Sequence, residues 1–184
     1  MADWLVGWFV GVPINTRELF LYTAMERDEI KEQIQAWLLE ESELQKWKIG
    51  FIKDEDYYYS CFKILDKKDI DICTICIEKN IDRVILMNEI SFSKQDGINY
   101  KLSKEKERYW IDLKISLMNL RVDVQAIPDV ESMEKMQVRK LIYFDGWSRD
   151  RFMNDLLTIM DASELPELIF RDYSDYMNEK IQKD

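Results

Sequence analysis

The order in which hydrophobic periodicity changes along the chain restricts its fold more than any single motif. Ile30, Ile34, Trp37 and Leu38 recur at helical spacing, with acidic residues ahead of them that suit the positive end of a helix dipole, and predict a helix over Glu26 to Glu41. The pattern then switches to alternation. Trp47, Ile49 and Phe51 alternate with Lys46, Lys48 and Gly50, and three further strand-like runs follow at Tyr57 to Leu65, Ile70 to Glu78 and Asp82 to Phe92. Their short polar connections, Asp66-Lys67-Lys68-Asp69 and Lys79-Asn80, favour antiparallel hairpins.

A second helix is predicted from Lys104 to about Met118, with Tyr109, Trp110, Leu113, Leu117 and Leu120 near its apolar side. Leu120, Val122, Val124 and Ala126 return to alternation until Pro128 stops the strand, and Met136 to Phe144 forms the last one. Ser148 is a fitting N-cap for a helix bearing Phe152, Leu156, Ile159 and Met160. Ser163 and Pro166 open a further helix with Leu165, Leu168, Ile169, Tyr173 and Tyr176 on its stripe. The expected class is α+β, an antiparallel sheet with helices packed on it, in the order α-ββββ-α-ββ-α(α). No internal repeat interrupts that order.

With 184 residues, 47% hydrophobic, and only five Gly and three Pro, the chain suits one domain with a substantial core and little linker. A formal net charge of −10 argues against nucleic acid, whose binding depends on Lys and Arg neutralising phosphates. A basic or neutral apolar protein partner, or a second copy of the chain, fits better. Histidine is absent, which removes Ser-His-Asp and Cys-His catalysis, His-ligated zinc and haem. No catalytic residue, metal set or cofactor is expected. Three cysteines, Cys61, Cys73 and Cys76, are too few for a disulfide framework and point to a reducing cytoplasm.

Residues 4 to 12 are apolar but short of the roughly 20 residues a membrane helix needs, and no Lys or Arg precedes them as in a signal peptide. Three readings stay open for residues 1–24. They are an extension outside the native product, with initiation at Met25; a segment docked over apolar surface of the domain; or a membrane-surface contact. Residues 25–184 form the single α+β domain in each case.

Tight hairpins would set Phe62 opposite Cys73, Ile75 opposite Val84 and Cys73 opposite Leu86. Phe62, Ile64, Cys73, Ile75, Ile77, Val84, Leu86, Ile90 and Phe92 then share the core face. Tyr59, Cys61, Ile72, Thr74, Cys76, Ile85 and Met87 fall on the opposite face, too apolar for a surface meant only for water, and are the expected partner-binding residues. The same alternation disposes of Cys73-Thr74-Ile75-Cys76 as a redox or zinc motif, since residues three apart on a strand point to opposite faces. Cys61 stands alone in this reading, and the cysteines are small apolar fillers.

Other motifs read as surface. Asp54-Glu55-Asp56 lacks the spacing and Gly of a calcium loop. Tyr57-Tyr58-Tyr59 is divided between two faces by strand geometry. The glycines form neither a P-loop nor a dinucleotide fingerprint, and Lys104-Glu105-Lys106-Glu107-Arg108 is a solvated helix face.

The stretch Phe144-Asp145-Gly146-Trp147-Ser148-Arg149-Asp150-Arg151-Phe152 resembles the strand-to-helix junction of proteins related to type III secretion chaperones and of YbjN-like proteins. The element order from Met25 to about Met160 is similar to that group, closest to an uncharacterised archaeal branch. The resemblance implies helices on an antiparallel sheet, a small acidic cytoplasmic protein, dimerisation, binding of protein segments and no catalytic residues. Two functional expectations result: a non-enzymatic, chaperone-like protein-binding module, or a small-ligand protein or enzyme working with carboxylate, Lys or Tyr groups.

Overall fold

The structure, a computed structural model, describes residues 16–52, 57–93, 97, 100, 101 and 103–171. The apolar run at residues 4 to 12, the acidic triplet Asp54 to Asp56, and Tyr173 and Tyr176 lie outside the described residues. The described chain is α+β. Helix α1 (Thr16–Gln45) is followed by β1 (Lys48–Ile52), β2 (Tyr58–Leu65), β3 (Asp71–Glu78) and β4 (Arg83–Ser91). Helix α2 (Lys106–Asn119), strands β5 (Asp123–Ile127) and β6 (Lys135–Tyr143), and helix α3 (Arg149–Ala162) complete the order read from the sequence. Residues 165–171 are helical as well.

The six strands form one sheet in the order β1-β2-β3-β4-β6-β5, every neighbouring pair antiparallel. Phe62, Ile75, Leu86, Val138 and Val124 come from five different strands and are buried on one face with the apolar stripes of the helices. Those stripes are Ile30, Ile34 and Leu38 of α1, Tyr109, Leu113 and Leu117 of α2, and Phe152, Leu156 and Ile159 of α3. Each repeats at three or four residues, so one side of each helix seals the core and the other meets water.

The first two helices end where the backbone turns left-handed. Lys46 has φ 59° directly after α1, and Arg121 has φ 55° after α2, with the Val122 N–H donating back to the Leu117 carbonyl at 3.0 Å. The strand predicted from Leu120 therefore starts at Asp123, because Leu120 caps the helix. α1 begins earlier than its stripe indicated and runs unbroken through Met25.

The 144–152 junction locks α3 to α1. The Ser148 side chain accepts the Arg151 N–H at 3.3 Å, and the Arg151 guanidinium donates to the Asp145 carbonyl at 2.7 Å across Gly146, whose φ is +68°. Trp147 stacks on Trp37 with ring centroids 5.6 Å apart, while its indole N–H donates to the Gln33 side-chain oxygen at 2.9 Å.

The sheet register differs from the tight-hairpin expectation by two residues in both hairpins. Phe62 lies opposite Ile75 rather than Cys73, and Ile75 opposite Leu86 rather than Val84. The β2–β3 connection is a three-residue loop, with Asp66 and Ile70 paired by N–H to carbonyl at 2.9 Å and Asp69 left-handed at φ 64°. A bulge at Ile72 adds the second residue of offset. The β3–β4 connection takes four residues, not two, and Arg27 of α1 holds it: its guanidinium donates to the Glu78 carbonyl at 3.0 Å and to the Asp82 carboxylate at 2.6 Å.

Candidate partner-binding surfaces

A slip of two residues leaves every side chain on its own face, so the division into core face and far face stands while the neighbours change. On the far face, Ile52, Cys61, Cys76, Ile85 and Leu141 are successive cross-strand partners. They form an apolar row across five strands, about 19 Å at the usual strand spacing. Polar rows flank it and are ion-paired: Arg83 with Glu78 and Lys63 with Asp71, then Arg139 with Asp123 at 2.7 Å and Lys135 with Glu89 at 2.6 Å.

Five of the seven residues expected on this face lie there: Cys61, Thr74, Cys76, Ile85 and Met87. Tyr59 and Ile72 do not. Both fall at bulges, where the extra residue breaks alternation. The Tyr59 hydroxyl donates to Asp28 of α1, which raises its pKa above the ordinary phenol value, and Ile72 packs against the main core. The row is already shielded from water within the chain: Cys61 and Cys76 are 2% exposed and Ile85 8%. Thr74 and Met87 are half-buried, and the exposed apolar groups on this face are Leu141 and Tyr143.

The cysteines divide as strand geometry requires. Cys73 is enclosed in the helix-side core, and burial pushes its thiol up to about 12, so it is a neutral filler. Cys76 is on the far face, but Cys61 does not stand alone. It is the direct partner of Cys76 across β2 and β3, with their sulfurs 2.6 Å apart.

A second surface escaped the reading of periodicity. Opposite its buried stripe, α2 presents Ile111, Ile115 and Met118 at spacings of four and three, exposed by 55%, 55% and 71%. Three large aliphatic side chains in a line on the outside of a helix are more than the scattered exposure of an ordinary surface. The signal was in the sequence, as a helix with two apolar stripes instead of one. Near it, Lys106, half-buried, pairs with Glu131 at 2.7 Å, and the exposed Arg108 lies 3.9 Å from Asp112, so charges at the start of α2 are paired.

Among the described residues no group of three or more Cys, Asp or Glu is arranged to hold a metal ion, and no helix is long and apolar enough to cross a membrane. Tyr100 and Tyr109 donate to the carbonyls of Val130 at 2.6 Å and Pro166 at 3.0 Å, and burial raises both phenols, that of Tyr100 to about 12. These hydroxyls anchor the loop at Val130 and the start of the 165–171 helix to the core.

The class defined by this architecture is a helix-backed, six-stranded antiparallel α+β domain. The chain belongs to the uncharacterized conserved protein family DUF2299, whose model matches residues 30–170. An uncharacterized protein of known crystal structure from Methanothermobacter thermautotrophicus has a similar fold, with a TM-score of 0.65 at 20% identity over 78% of this chain and 97% of that one. No curated protein matches the chain.

Proposed function

We propose that the protein is a non-enzymatic protein-binding module that docks an apolar protein segment on the outer stripe of α2. The observation that carries this reading is the exposure of Ile111, Ile115 and Met118 on a helix whose opposite side is fully anchored in the core. Because α2 is fixed from behind by Tyr109, Leu113 and Leu117, the stripe is rigid before any partner arrives, which lowers the entropic cost of association. Covering one such side chain contributes about 1.5–3 kcal/mol. The net charge of −10 favours a basic or neutral segment over an acidic one. A chaperone-like role in a reducing cytoplasm, with a second copy of the chain as one occupant of the stripe, fits the same surface.

The test compares the unaltered protein with an Ile111→Glu/Ile115→Glu variant, both positions being exposed so that the fold is kept. Sedimentation velocity reads self-association, and affinity capture from cell extract followed by mass spectrometry reads other proteins. A defined partner, or a dimer, held at least tenfold more weakly by the variant supports the reading. Identical sedimentation and identical captured proteins for both forms refute it.

A further inference from the structure

We infer that Cys61 and Cys76 form a two-electron redox site, a cross-strand dithiol that a small peroxide oxidises to a disulfide within the folded protein and a dithiol reductant restores. The inference does not depend on the α2 stripe. It rests first on register: Cys61 and Cys76 are Cα partners on adjacent antiparallel strands. Opposed antiparallel residues have Cα atoms about 4.5–5.5 Å apart, inside the range of about 4.4–6.8 Å that a disulfide bridges without moving the backbone. The two side chains also point to the same face and already touch, sulfur to sulfur, at 2.6 Å.

Their surroundings separate them from the third cysteine. Cys61 and Cys76 stand outside the core cluster that the three helices share, whereas Cys73 lies within it on the opposite face. The two cysteines are only 2% exposed, so the oxidant has to be small, and hydrogen peroxide is of the right class. One thiolate attacks peroxide, the O–O bond breaks, and a sulfenic acid and hydroxide form, the latter taking a proton to leave as water. The second thiol then attacks the sulfenic sulfur, the S–S bond forms and a second water leaves. Two thiols have lost two electrons to the peroxide, and no other acceptor is needed. In the return step an external dithiol opens the bridge through a mixed disulfide and itself closes to a disulfide.

The experiment treats the folded, unaltered protein with hydrogen peroxide, blocks remaining thiols, and maps peptides by mass spectrometry without reduction. The expected product is a single chain lighter by two hydrogens, with the Cys61 and Cys76 peptides linked and Cys73 blocked as a thiol. Addition of a dithiol under native conditions restores three thiols. Because the bridge closes a loop of about 15 residues, the oxidised form melts roughly 6–12 °C higher. Cys61→Ser and Cys76→Ser each abolish the linked product, although the mapping on the unaltered protein stands without them. Retention of three thiols, over-oxidation without a link, links between chains or to Cys73, or a bridge reducible only after unfolding would each overturn the inference.

Discussion

Asp155→Ala should destabilise the protein by about 2–3 kcal/mol, because it strands a charge between sheet and helix. Lys140 stands on the helix-facing side of β6, directly opposite Leu86 of β4, and its ammonium lies 2.8 Å from the Asp155 carboxylate of α3. The two side chains are only 13% and 19% exposed, and the ammonium also donates to the Leu120 carbonyl at 3.3 Å. Removing one partner of a fully buried pair costs about 3–5 kcal/mol. Partial access of water to this pair lowers the figure to about 2–3 kcal/mol, equivalent to a fall in Tm of roughly 5–10 °C for a domain of this size. Replacing both partners, as Lys140→Met/Asp155→Leu, fills the same space with apolar groups and should return stability to within about 1 kcal/mol of the unaltered protein. Urea titrations followed by tryptophan fluorescence measure Asp155→Ala and the four members of the cycle, which are the unaltered protein, Lys140→Met, Asp155→Leu and the double variant. If Asp155→Ala unfolds at the same urea concentration as the unaltered protein, or the double variant loses the sum of the two single losses, the pair is not the interface contact that the geometry indicates.

Gly146→Ala should cost about 1–2 kcal/mol in the same titration, since a residue with a Cβ is strained at φ +68° and the added carbon meets the Arg151 guanidinium at 3.1 Å; an unchanged midpoint would show that the junction relaxes freely. Stability should also fall as pH rises from about 9 towards 12. Burial raises the Cys73 thiol from 9.0 to about 12 and the Tyr100 phenol from 10.0 to about 12, with Tyr109 raised as well, so above pH 9 the unfolded chain binds fewer protons than the folded one. Urea midpoints at pH 8, 9.5 and 10.5 check the sign, and Cys73→Ala should delay the onset; a midpoint that holds or climbs over this range contradicts it.

Much of the architecture was legible because it depends on local periodicity. Alternation in Phe62 to Ile64 and Cys73 to Ile77 assigned those residues to the core face, and Ser148 marked the start of α3, where its side chain caps the helix. The candidate surfaces were less legible. Tyr59 and Ile72 were assigned by strict alternation to a face they do not occupy, since a bulge leaves no mark on a hydrophobic pattern. The outer stripe of α2 was obscured by Tyr109, Leu113 and Leu117, the stronger stripe of the same helix. The placement of β6 between β4 and β5 required the sheet itself.

Periodicity along the chain was enough to place the helices and to assign a face to the strand residues away from the bulges, because burial of apolar side chains imposes periods of two and of three to four. The register came from the folded structure. Side chains repeat every second residue along a strand, so pairings two residues apart bury the same groups and differ little in hydrophobic energy. The choice came from conformational details: left-handed Asp69, the bulge at Ile72, and Arg27 reaching from α1 to hold the Glu78–Arg83 connection. That choice sets Cys61 against Cys76, where tight hairpins would have set it against Thr74.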